Sequence, residues 1–144
     1  MVKEVCLKKL AIDLGDELKE YIKNAGTWQK IGMNVFEVPQ EIKEKNVFYV
    51  GQRMGFLTDK FYPSLLLLEK LSNYGPKLKV DKKRAWLFVC GRDLFLKQEQ
   101  HGFPVGEIVF VFYEDIFLGI GKVEKKMIKN IADIGLYIRA PEKC

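Results

Sequence analysis

Residues 107 to 123, GEIVFVFYEDIFLGIGKV with its leading Gly106, constrain the fold most. Two β-branched and aromatic runs are separated only by Glu114 and Asp115, so they read as two strands joined by a tight, solvated turn. Around them lie further short segments of strand character: LKV (78–80), LFLKQ (94–98) and GLYIRA (135–140). RAWLFVCG (84–91) reads instead as a helical turn. Short strands at this spacing predict a small barrel, which removes its own sheet edges by closing.

The chain before this region has a different texture. Leu7, Leu10, Ala11, Leu14, Leu18, Tyr21, Ile22 and Ala25 recur at helical spacing, so residues 3–25 read as one amphipathic helix, with Gly26 as its stop. TWQKIGMNVFEV (27–38) alternates in two arms around Gly32 to Asn34 and reads as a β-hairpin. PQEIKEK (39–45) begins with a proline suited to the first turn of a short helix, and NVFYVG (46–51) reads as a strand. QRMGFLTDK (52–60) then reads as a turn leading to a further strand. Ser64 caps a buried helix, LLLLEKLSNY, that Gly75 and Pro76 end. YGPK is the best domain boundary in the chain, giving an N-terminal α+β domain over 1–75 and a small β-barrel-like domain over 76–144.

Charge follows the same division. Residues 1–75 carry 11 basic against 10 acidic side chains, and residues 76–144 carry 13 against 9. The basic excess therefore lies in the second half, where it suits a polyanion such as RNA, although a charge run by default is only a solvated face. No stretch approaches the roughly 18–20 apolar residues of a membrane span. The N-terminus mixes both charge signs at helical spacing, unlike a signal peptide, which implies no membrane association and an intracellular location.

Cys6, Cys90 and Cys144 are too far apart for a paired disulfide or zinc framework. They read as small buried hydrophobes or a frayed terminus. A nucleophilic dyad of Cys90 with His101, the single histidine, is disfavoured because burial in WLFVC would make the thiol inert. Asp13 with Asp16, and Glu114 with Asp115, read as the polar side of a helix or a turn. Nothing in the sequence implies a cofactor, a metal or a catalytic half.

Gly119 and Gly121 in FLGIGKVEKK raise the question of what their backbone lets approach. A dinucleotide fingerprint needs a third glycine three residues on, where Glu124 stands, and a carboxylate there would repel the phosphates. The remaining readings are an RNA contact or a tight bend with a basic face.

The second half resembles a PUA domain, the small RNA-binding barrel named after pseudouridine synthases and archaeosine transglycosylases. FVCGRDLFLK, FPVGEIVFVF and the return through LGIGKV carry that resemblance. The whole chain resembles the ribosome-biogenesis family called nuclear import protein seven, through FYVGQRMGFLTDKF, FVCGRDLFLK, DIFLGIGKV and ADIGLYIR. The family's Gly-Ala-Glu stretch before the PUA helix reads KKRAWL here.

The resemblance implies a noncatalytic, monomeric RNA-binding factor that assists large ribosomal subunit biogenesis and pre-rRNA processing. RNA would bind the PUA domain, and other assembly proteins would bind the N-terminal domain, whose GFLTDKFY stretch is expected to be exposed. Such a protein is cytoplasmic in an archaeon and nucleolar in a eukaryote. The resemblance also makes the lysines after the glycine pair the candidate RNA ligands: Lys122, Lys125, Lys126 and Lys129, gathered on one face if the segment is helical. Arg92, able to grip phosphate bidentately or stack on a base, and Lys82, Lys83 and Arg84 are secondary candidates. Phe110, Phe112 and Trp86 read as core, leaving Tyr113 as the aromatic to watch. Two other readings stay open: a targeting subunit of an RNA-modifying enzyme, and a protein-interaction module with an incidental basic face.

Overall fold

A computed structural model describes residues 2–24, 26–38 and 51–137. The expected short helix over 39–45 and nearly all of the expected strand over 46–51 lie outside those residues, as do Ile138, Arg139 and Cys144. The chain has an α+β fold with two four-stranded sheets, and it divides into two units, Met1–Leu71 and Ser72–Cys144. The second unit starts a few residues before the Gly75–Pro76 punctuation.

In the first unit the single helix expected over 3–25 is two helices, α1 (Val2–Lys8) and α2 (Asp16–Asn24). The break has a local cause. Asp13 accepts the Gly15 amide at 3.1 Å, Gly15 adopts a φ of +82°, and the Lys9 to Ala11 backbone bonds to Phe61 instead of continuing the helix. Apolar residues keep helical spacing through the break because Leu14 is buried in its own right.

The hairpin forms as expected, with β1 (Thr27–Ile31) and β2 (Asn34–Val38) joined through Gly32 and Met33. β3 (Gln52–Leu57) continues the antiparallel sheet, followed by β4 (Phe61–Pro63). QRMGFL is thus a strand and not the expected turn. Gly55 misled as a turn signal; it is present because a Cβ there would lie 2.5 Å from the Phe61 ring and from the Tyr62 carbonyl oxygen. Ser64 accepts the Leu67 amide at 3.1 Å and so caps α3 (Leu65–Leu71), as expected. The GFLTDKFY stretch is only partly exposed. Leu57 and Phe61 are buried while Thr58 to Lys60 and Tyr62 face solvent. Cys6 is buried, and desolvation pushes its thiol pKa up to about 11, so it is an inert core residue.

In the second unit β5 (Lys77–Lys79) pairs parallel with β6 (Ile108–Tyr113), and β6, β7 (Ile116–Val123) and β8 (Ile128–Asp133) follow in antiparallel order. A parallel pair requires a crossover, and α4 (Lys82–Val89) lies within it. Val109 to Phe112 are all buried, which is why β6 reads as a continuous apolar run and not as an alternation. Val109 and Val111 join Phe88, Leu94 and Ile128 in one core; Phe112 meets Phe117 edge-on at 5.7 Å. Register shifts fall at Val111/Phe112 and Ile120/Gly121, irregularities of the kind that bend a strand and increase its twist.

Two strand expectations do not hold here. In LFLKQ only Leu94 makes a bridge, to Ile128, and Gln98–His101 form a single helical turn, α5. Of the strand expected over GLYIRA only 135–137 are described, and these belong to a 3-10 turn, Ile134–Tyr137, that follows β8.

Candidate nucleic-acid interface

The candidate lysines sit on the β7–β8 hairpin; the segment is not helical, the condition under which the four would share a helix face, but turns through Glu124 and Met127, whose backbones bond at 2.9 Å. Val123 pairs with Ile128, both buried, and this parity turns the next pair, Lys122 and Lys129, outward and directly opposite each other. Lys125 and Lys126 occupy the tip, and all four lysines are exposed. A helix and a hairpin both gather these residues, but the hairpin places two like charges face to face. Their repulsion is relieved when a polyanion binds.

The glycine pair serves the hairpin itself. Gly119 has a φ of +146°, and a Cβ there would overlap the Ala132 carbonyl and lie 2.7 Å from the Asp133 Cα. A Cβ on Gly121 would overlap the Ile128 side chain and lie 3.1 Å from the Lys129 carbonyl oxygen. What the glycines admit is therefore the β8 backbone, which lets Lys129 come beside Lys122.

Lys82, Lys83 and Arg84 form the first turn of α4. Asp81 is the N-cap, its carboxylate accepting the Arg84 amide at 2.8 Å and the Arg84 guanidinium at 2.7 Å. These bonds hold the Asp81 carboxyl below its ordinary value of 3.8, the amide bond first and the Arg84 charge after it. Because the folded pKa is depressed, the stabilisation is complete above 3.8 and is lost as pH falls through the lowered folded value. Melting curves of the native protein and Asp81→Ala should therefore differ at neutral pH and converge in acid well below 3.8; a difference that persists there contradicts the assignment.

The loop after α4 links these residues to the hairpin. Asp93 accepts the Asn130 amide at 2.8 Å, the Asn130 side chain donates to the Phe88 carbonyl at 2.9 Å, and Leu94 and Ile128 exchange backbone bonds of 2.9 and 2.7 Å. The exposed Arg92, and Phe95, thus lie on a segment tied to the strand that carries Lys129. All eight candidate cations belong to one unit, and two clusters separated in sequence are joined through β8.

The aromatics divide differently from the sequence expectation. Phe110 and Phe112 are core, but Trp86 is 69% exposed. The short α4 buries Ala85 and Phe88 and leaves Trp86 on the outer side. Phe95, not singled out by its sequence context, is 77% exposed. The signal that could have found it is its position between Leu94 and Leu96, both buried, so that alternation turns it outward. Cys90 is exposed at the end of α4, not buried, and His101 is engaged elsewhere, its Nδ1 accepting the Phe103 amide at 3.0 Å. Among the described residues no group of three or more His, Cys, Asp or Glu could hold a metal ion, and no helix is long and apolar enough to cross a membrane.

Residues 76–142 match the family model described as the UPF0113 PUA domain. No curated protein matches the chain by sequence. With its four-stranded sheet, its crossover helix and that match, the second half of the chain is a PUA domain, a general RNA-binding module.

Proposed function

We propose that this chain is a noncatalytic RNA-binding factor for large ribosomal subunit biogenesis. It holds pre-rRNA through its C-terminal PUA domain and other assembly proteins through its N-terminal domain. The observation that carries the RNA half of this reading is the cross-strand lysine pair, Lys122 opposite Lys129, with Lys125 and Lys126 at the tip of the same hairpin on a PUA domain. The resemblance of the chain to the nuclear import protein seven family supports the ribosomal half. Exposed Met33, Tyr62 and Leu66 in the first unit offer apolar contacts for a protein partner.

Sedimentation of the full chain in cell extract tests the proposal. The native protein should travel with large-subunit precursors, and the Lys122, Lys125, Lys126 and Lys129 to alanine variant should move to the light fractions. Sedimentation that is unaffected by these substitutions would contradict an RNA-dependent role. Stable co-purification with a chain that modifies RNA would favour a targeting subunit instead.

A further inference from the structure

Beside α4 lies a groove of about 240 Å³, lined by Asp81, Lys83, Arg84, Leu87, Asp93, Leu94 and Phe95. Its lining surface is mostly apolar, from Leu87, Leu94 and Phe95, while Lys83 and Arg84 stand on its basic side. It is smaller than the roughly 300–1,000 Å³ of sites for drug-sized ligands, a size suited to one planar ring system. Both carboxylates are already engaged: Asp81 by the amide and guanidinium of Arg84, and Asp93 by the Asn130 amide.

We infer that this groove takes one unpaired nucleobase of a single-stranded RNA, stacked on Phe95, while the hairpin lysines hold the adjoining backbone. The inference rests on the RNA-binding reading and adds what the lysines alone do not supply, a preference for single strands. Phosphate contacts grip single and double strands alike, whereas a base reaches an aromatic face only when it is out of a duplex.

The placement follows from the Leu94–Ile128 bridge. The bridge is antiparallel and both of those side chains are buried, so Phe95 turns outward opposite Met127, diagonally across from Lys129, and Lys122 follows one strand further on. At about 4.8 Å per strand spacing the strip is on the order of 10 Å across, and the ring is offset from the lysine pair by two residues, about 7 Å, along the strands. Lys83 lines the groove with Phe95, and Lys82 and Arg92 are exposed beside these residues in the sequence, adding to the positive charge of the unit. That charge favours the phosphate-linked base over the apolar side chain of a protein.

Phe95→Ala is an informative variant because a ring that is 77% exposed contributes little to the core. A fluorescent single-stranded RNA, the same strand with abasic positions, and a duplex of the same length would be titrated against the native protein, Phe95→Ala and Phe95→Tyr. Loss of one stacked base should weaken single-strand binding by roughly tenfold or more, leave the salt slope unchanged, and be restored by tyrosine. Duplex binding and binding of the abasic strand should be the same for all three proteins. If Phe95→Ala binds the single strand as the native protein does, the stacking inference is wrong and the groove is open to an apolar side chain of a protein partner. If the native protein binds none of the three RNAs, the RNA-binding reading fails as well, which separates the two failures.

Discussion

Gly119→Ala should destabilise the C-terminal unit by about 3 kcal/mol or more, a drop in its melting temperature of roughly 10 °C or beyond. Two costs add. The φ of +146° is one that a side chain rarely adopts, and the new Cβ would overlap the Ala132 carbonyl and lie 2.7 Å from the Asp133 Cα, which are backbone atoms of a paired strand and cannot swing aside. Relief would require β8 to move away from β7, parting Lys129 from Lys122 and straining the Leu94–Ile128 bridge. Gly102→Ala supplies the comparison, since Gly102 has a φ of +76° with nothing within 4 Å of an added Cβ. It should cost only the backbone term, about 1–2 kcal/mol. Equal effects of the two substitutions in thermal melts would mean that close packing of β8 on Gly119 contributes nothing.

The second large effect concerns RNA. If each of Lys122, Lys125, Lys126 and Lys129 neutralises one phosphate of a single strand, replacing all four by alanine should make the slope of log affinity against log salt shallower by about 3. Raising the salt from about 50 to about 200 mM would then weaken the native protein roughly fifty-fold more than the variant. The four side chains are exposed, and the buried residues between them, Val123 and Ile128, are untouched. A lost slope therefore reports lost phosphate contacts and not a lost fold, which circular dichroism of the variant would verify. An unchanged slope would move the phosphate contacts to Lys82, Lys83, Arg84 and Arg92.

How much of this was readable beforehand depended on how many faces of an element are buried. β6 and β7 stood out because neighbours cover them on both sides, leaving uninterrupted apolar runs with a two-residue turn between. β8 did not, since only Ile128 and Asp133 at its ends are fully buried and the residues between them follow no clean alternation. α4 was legible as a helix but not in its orientation: the apolar run AWLFV (85–89) does not reveal that Trp86 faces solvent while Phe88 faces the core. The α1–α2 break was hidden because Leu10 and Leu14 continue the apolar spacing outside either helix, where Leu10 bridges Phe61 through its backbone and Leu14 is buried. The lysine cluster was visible as composition, yet its geometry depends on strand register, which is set by long-range pairing.

The most direct test of the central claim is to titrate the isotopically labelled full chain with a short single-stranded RNA and follow every backbone amide by NMR. The account predicts that the perturbed amides concentrate at 122–129 and 92–95, with further changes at 82–84, and that β1 to β4 stay silent. Perturbations confined to the first unit, or spread evenly over both units, would contradict an RNA site on the β7–β8 hairpin.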